Sequence, residues 1–497
     1  MEKNIIQKLT KFSFVIWLLS VPFSYVYSLT SLEKNKGFTS FSLYNVYLID
    51  VTTIFLLTIV LINLYLHKKS FFAYCRNAPC LPAEAGAKEG RVPTLIFAVF
   101  TIISFFWSGS PFLSAFWGLR FLILILALYA TLMLIRSSDY YKNTFLKIFI
   151  TVGTLESLIA LGQFIFQQSL GLHLLGESRL DLNILGLARV DLLGHDLLRA
   201  YGTFPHPNIL GGFLLFTIVA TIWYKPAKYQ KILLLIQIIG LGLTFSRSAI
   251  LGFILIILLG WKCLSEIVIP APAKSWSASG EKAGIQKKSL LLLFLVLFSL
   301  LLVRSPIQKI LSGSDETINI RWEYAKAAYG RFLESPVLGR GWGTGPVELP
   351  AFSKFPFYSW ELQPVHNIYL LVLSDLGIMG LLIFLYFIYR VLDSRYSEPA
   401  PLSSRPKSRD PENALNSFWI PASAGMTKNT GNEKIWEYLF IAYLFIGLFD
   451  HYLLTLPQGI FIFFGSALLT SLAQELGRKK GKNPAAAKKE TTSPAFE

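Results

Sequence analysis

Charge is scarce in this chain, and acidic charge is the scarcer sign. Only 15% of its 497 residues are charged, 53% are hydrophobic, and the mean hydropathy is +0.51. A soluble domain carries about 25% charged residues, so an ordinary soluble protein is excluded. Cysteine is nearly absent. Cys75, Cys80 and Cys263 cannot build a disulfide framework, and the first two lack a zinc spacing. Alternating ten-residue segments are missing, which excludes a membrane barrel. Acidic clusters suited to a divalent cation are missing too. Glu177, Asp181, Asp191 and Asp196 are scattered along one stretch and read as solvated, so no metal site is expected.

What the sequence has is long apolar runs of roughly 20 residues, the length that crosses about 30 Å of hydrocarbon as a helix. In lipid only a helix satisfies its own backbone. The expected fold is therefore an all-α integral membrane protein of about 12 transmembrane helices. The spans fall near 11–30, 45–66, 92–107, 113–135, 145–167, 207–224, 230–246, 248–262, 289–304, 366–389, 436–454 and 457–476. The first reads as an uncleaved anchor, because no small-residue cleavage site follows it. The pair 230–246 and 248–262 is separated only by "FSRSA".

The basic residues orient the spans. With the N-terminus inside, Lys68, Lys69, Arg136, Lys142, Lys225, Lys228, Lys287, Lys288, the run from Arg390 to Lys434 and the "GRKKGK" tail all fall inside. The short outer turns "WSGSP" and "HYLLTLP" carry no Lys or Arg, the positive-inside pattern. The net charge of +16 is thus explained by anionic membrane lipid, with no nucleic acid needed. The organisation expected is spans one to five over 1–167, an outer loop at 168–206, spans six to nine over 207–304, a large outer loop at 305–365, spans ten to twelve over 366–476, and a basic tail at 477–497. Inner stretches at 67–91, 263–288 and 390–435 lack apolar periodicity and read as flexible insertions without chemistry.

In this topology His366 of "PVHNIYLLVLSDLGIMG" opens span ten at the outer face. A bland reading is a helix cap. Other polar residues share that face, however: Arg247 in "LTFSRSAILGF", Arg321 in the large outer loop, and Arg199 and Asn208 in "LLRAYGTFPHPNILGGFL". Arginine grips phosphate oxygens with a planar fork and keeps its charge. Histidine can take a proton near neutral pH. Arg304, Arg331 and Arg340 read as interfacial anchors. An ion pair with Glu323 or Asp315 is the other reading of Arg321. His195, His206 and His451 read as satisfied polar residues, with His451, beside Asp450, the strongest rival base. "ESPVLGRGWGTG" reads as a helix end and a glycine-rich turn packing against the membrane.

"SRSAILGF", "RWEYAKAAYGRFLESPVLGRGWG", "HNIYLLVLSDLGIMGLLIF" and "RAYGTFPHPNILGGFL" together resemble the O-antigen ligase and polymerase family, over roughly residues 195–390. The resemblance implies a GT-C-like layout with a long helical periplasmic loop between spans nine and ten. It implies a metal-independent glycosyltransferase without cofactor, multi-pass in the bacterial inner membrane, its site facing the periplasm. The donor would be an undecaprenyl-diphosphate-linked glycan, and the acceptor lipid A–core (ligase) or another lipid-linked glycan (polymerase). By family match His366 would be the base, Arg321 and Arg247 would take the diphosphate, and Arg199 would contact the donor, with Asn208 either beside it or only a helix cap. A flippase or transporter of lipid-linked sugar is the alternative class, but it would spread its arginines along a midplane cavity.

Three ionisable residues lie inside predicted spans. Arg120, Asp375 and Glu156 each count to a depth of ~13–16 Å at 1.5 Å per residue. The expectation is that Arg120 pairs with Asp375 or Glu156 as a floor beneath the diphosphate site; the rival is that Arg120 itself binds donor phosphate.

Overall fold

The structure, a computed structural model, describes residues 2–23, 26–28, 45–66, 91–184, 186–192, 194–224, 229–261, 316–358, 361–393 and 434–482. Its helices in chain order are α1 (Glu2–Ser20), α2 (Leu48–Leu66), α3 (Arg91–Ile103), α4 (Pro111–Ser137), α5 (Asp139–Phe166), α6 (Pro207–Tyr224) and α7 (Gln230–Leu243). There follow α8 (Arg247–Leu259), α9 (Glu316–Glu334), α10 (Gly345–Phe352), α11 (Ile368–Leu392), α12 (Ile435–Ile446), α13 (Tyr452–Thr455) and α14 (Pro457–Lys482). Among the described residues five helices, α2, α4, α5, α6 and α11, are long and apolar enough to cross a membrane. Shorter apolar helices stand at Val92–Trp107, α7, α8 and α12. The chain is a mostly helical, multi-pass membrane protein. The expected span at 289–304, Arg304, Asp315 and most of the inner insertions lie outside the described residues.

The first helix lies earlier than its span was drawn. It stops at Ser20, shortly before Pro22, because the residue preceding a proline is driven out of the α region. Residues 26–28 then pair antiparallel with 45–47, so the fold is not wholly helical. A second hairpin, Arg189–Leu192 with His195–Leu198, turns at Gly194 (φ +86°) in the loop after α5.

Helix ends follow local chemistry. Pro111 starts α4 where its missing N–H costs nothing. Ser138 caps α5 by accepting from Tyr140 N. α6 is largely apolar around its circumference, which suits a central helix, and 94% of it is buried against 28% for the peripheral α2. Phe213 and Phe216 of α6 meet Phe149, Trp436 and Phe461 from neighbouring helices, and Phe149 stacks on Phe461, so this part of the core is aromatic.

α11 is broken at Gly377, whose φ of 65° and ψ of −167° leave the helix. The freed backbone groups need partners in lipid, and the glycine-rich turn after α9 supplies them. Ile378 N donates to Pro336 O (2.9 Å) and Met379 N to Val337 O (3.2 Å), while Gly341 N donates to Asp375 O (2.8 Å) and Arg340 N to Ser374 O (3.3 Å). A Cβ on Gly377 would strike the Val337 carbonyl, so close approach demands glycine here. The turn thus docks on the break in a spanning helix, where sequence suggested it would pack against the membrane.

Candidate functional site

Four helix ends meet at one end of the bundle. α6, α8 and α11 begin there, and α12 ends there before the turn that carries Asp450 and His451. The reversal from α7 into α8 passes through Phe245 at φ +47°, and the Ser246 hydroxyl caps α8 from Ala249 N at 3.4 Å. At α11 the polar pair divides its work. Asn367 is the cap, accepting from Tyr369 N (3.0 Å) and Leu370 N (2.9 Å). His366, one residue earlier, takes no part in capping, and its Nδ1 is enclosed without a hydrogen-bond partner.

Asp450 is the hub. Asn208 Nδ2 donates to both its oxygens (3.2 and 3.1 Å) and Ser248 Oγ to one (3.0 Å). Arg199 Nη2 donates to Asn208 Oδ1 (2.6 Å), and Arg199 Nε to Thr244 O (2.7 Å). Asn208 is therefore a bridge between a guanidinium and a carboxylate, more than a helix cap. The segment carrying Arg199 is clamped to α5. Gln163 Oε1 accepts from Tyr201 N (3.0 Å) and Gly202 N (2.8 Å), while Glu156 accepts from Thr203 N (2.9 Å) and Thr203 Oγ1 (2.6 Å).

Arg321 faces the same space from α9. Its charge acts on Arg199, His206, Tyr324, His366, Asp450 and His451, and Arg247 also acts on Arg199. The His366 ring stacks on Tyr324 (centroids 5.3 Å apart, 7° between planes) and meets His451 edge to face (4.8 Å, 88°). Burial first, and neighbouring cations and histidines second, hold His206 and His366 well below the ordinary histidine range. The same burial, with Arg321 behind it, brings His451 down to about 3. All three rings are neutral at neutral pH. Burial also lowers Arg199 to about 10, which still leaves it charged, and it pushes the Asp450 carboxyl up against the opposing pull of Arg321 and its hydrogen bonds.

The sequence-predicted set is thus partly assembled. His366, Arg321, Arg247, Arg199 and Asn208 belong to one network. Arg120 does not pair with Asp375 or Glu156. It binds Asp50 (Nη2–Oδ2 2.5 Å) and lies over the Tyr47 ring at 4.3 Å. The floor expectation failed because a nearer carboxylate sits on α2, and because both proposed partners are engaged elsewhere: Glu156 with Thr203, Asp375 with Arg331 at 2.7 Å. Arg331, expected as an interfacial anchor, is 2% exposed and also binds Glu348 (3.1 Å). Arg340 likewise pairs with Glu334 and Glu348. Glu177 is not solvated; buried, it accepts from Gln163 Nε2, Leu170 N and Leu172 N. Glu323 pairs with Lys326 rather than Arg321, and His195 is exposed on the second hairpin.

Reading the sequence missed Tyr324 and undervalued His206 and Asp450. Tyr324 sits three residues after Arg321, on the same face of a helix, and that spacing was the available signal. Asp450 and Ser248 each flank a residue already singled out, but their hydrogen bond joins positions 202 residues apart.

The described helices define a many-helix membrane protein with a polar, arginine-bearing site at one end of the bundle. Residues 232–385 match the family model described as O-antigen ligase. The resemblance read from sequence therefore holds over that segment, which carries Arg247, Arg321 and His366 and supports a ligase- or polymerase-like function in O-antigen biosynthesis. No curated protein matches the chain.

Proposed function

We propose that the chain is an inner-membrane glycosyltransferase that moves a glycan from undecaprenyl diphosphate to an acceptor hydroxyl at the periplasmic face, with lipid A–core as acceptor. The observation that carries this reading is the convergence of Arg199, Arg247 and Arg321 with a neutral His366 whose Nδ1 is not hydrogen-bonded. The bond between the sugar C1 and the diphosphate breaks, and the leaving diphosphate gathers negative charge. Arg321 and Arg247 take that charge, with Arg199 alongside; preorganised contacts of this kind are worth ~2–4 kcal/mol each. His366 accepts the proton of the attacking hydroxyl, a role worth about 10²–10⁴-fold. Attack opposite the leaving group inverts the anomeric centre.

The electrostatics give the base a condition. Burial first, and then His451, Arg321 and His206, depress the basicity of His366. A bound dianion offsets the Arg321 part, so the ring accepts a proton more readily with donor in place. His366→Ala should lower transfer about 10²–10⁴-fold while the protein still inserts; near-normal transfer at equal expression would end the base assignment. Acceptor identity is tested by a deletion strain. Loss of all long chains from lipid A with retained lipid-linked polymer supports the ligase, whereas chains capped at one repeat would make the protein a polymerase.

A further inference from the structure

A general base is normally held by a hydrogen bond from its second nitrogen to a carboxylate or carbonyl. His366 has no carboxylate in that role: its enclosed Nδ1 meets no partner in hydrogen-bond geometry, and the Pro364 backbone is the hydrogen-bonding group that acts on the ring. Its faces are held by rings. Tyr324 lies parallel to one face at 5.3 Å, and Phe357 stacks in turn on Tyr324 (5.3 Å, 9°). His451 meets the ring edge to face at 4.8 Å. Each clamp is itself fixed. Tyr324 is 3% exposed and its hydroxyl donates to the Glu361 carbonyl, while His451 Nδ1 lies 2.8 Å from Thr455 Oγ1.

We infer that Tyr324 is a positioning residue that orients the His366 imidazole through its aromatic face, doing by stacking what a carboxylate does in other bases. This rests on the assignment of His366 as base. Two consequences follow from the geometry. The tyrosine hydroxyl bonds away from the histidine, to Glu361, so the ring matters and the hydroxyl does not. The imidazolium formed during transfer lies against an electron-rich face, which stabilises it; loss of that face makes the base harder to protonate. The other groups facing His366 are Arg321 on α9, His206 before α6 and His451 after α12, and all three remain in the variants below.

The test uses full-length protein in nanodiscs, undecaprenyl-diphosphate-linked glycan as donor, and five variants. Tyr324→Phe keeps the ring and should stay within about twofold of wild type. Tyr324→Leu should lower kcat about 10- to 100-fold, the scale of a small misplacement of a reacting group. Its donor KM should be unchanged, and the pH-rate limb assigned to the base should shift to lower pH. Phe357→Leu should show a weaker version of the same kcat loss. In a His366→Ala background Tyr324→Leu should add nothing, because residues acting through one group are not additive. Equal losses in Tyr324→Phe and Tyr324→Leu, or a loss confined to KM, would overturn the ring clamp while leaving the base intact. An unimpaired Tyr324→Leu beside a dead His366→Ala would do the same. An active His366→Ala would remove the base assignment, and the clamp with it.

Discussion

Two arginine clusters draw on α9, one through Arg321 near its start and one through Arg331 in its last turn, and they are opposites. In one, Arg331 is fully met: Asp375, Glu348, Ser374 and Thr344 all bind it, and Arg340 shares Glu348. In the other, Arg199 and Arg321 make no ion pair among the described residues, and the one carboxylate between them, Asp450, gives its hydrogen bonds to Asn208 and Ser248. A cluster whose charges cancel holds a fold together. A cluster with cations left over is costly to bury and is explained by an anionic ligand that completes it. Residue type does not separate the two; the balance of partners does.

The comparison breaks most clearly at the chemical group. His366→Ala should cost the full base contribution, about 10²–10⁴-fold in transfer, with protein yield unchanged. Arg321→Lys should lose about 10²–10³-fold, since an ammonium lacks the bidentate fork, again with yield intact. Arg331→Ala should do the reverse. It strands Asp375 in the interior, while Glu348 keeps Arg340; this defect of about 3–5 kcal/mol should appear as lost yield that Asp375→Asn partly restores. Retained yield in Arg331→Ala, or collapse in Arg321→Lys, measured by fluorescence-detected chromatography, would erase the distinction.

Smaller effects sharpen it. EDTA should leave wild-type transfer unchanged, because guanidiniums do the work of a cation; loss restored by magnesium or manganese would refute that. Acidification should lower the melting temperature. The folded histidines refuse protons that the unfolded chain accepts from pH 6.5 downward, so their contribution is complete above 6.5 and is lost as pH falls, for His451 across the window to about 3. His451→Phe should flatten that slope. A slope identical to wild type would mean that the ring is solvated.

Much of the helical layout was legible in the sequence because a long apolar run reports a membrane-length helix directly. The long apolar run at 207–224 marked α6, and "FSRSA" marked the reversal that places Arg247. Which arginine meets which acid was not legible. Arg120 finds Asp50 across 70 residues, and Arg331 finds Asp375 across 44. Depth counting placed Arg120, Asp375 and Glu156 at similar levels but said nothing of azimuth around the bundle. The break in α11 was hidden for a related reason: "SDLGIMG" fits a continuous apolar helix, and only the docked turn from α9 shows why Gly377 leaves it.

The most direct test of the central claim is binding of undecaprenyl diphosphate to purified protein in nanodiscs, compared across wild type, Arg321→Gln and His366→Ala. The account predicts at least about a tenfold loss of affinity in Arg321→Gln, the scale of one charge-assisted contact, and near wild-type affinity in His366→Ala, whose defect is chemical. Equal affinity in wild type and Arg321→Gln would contradict it.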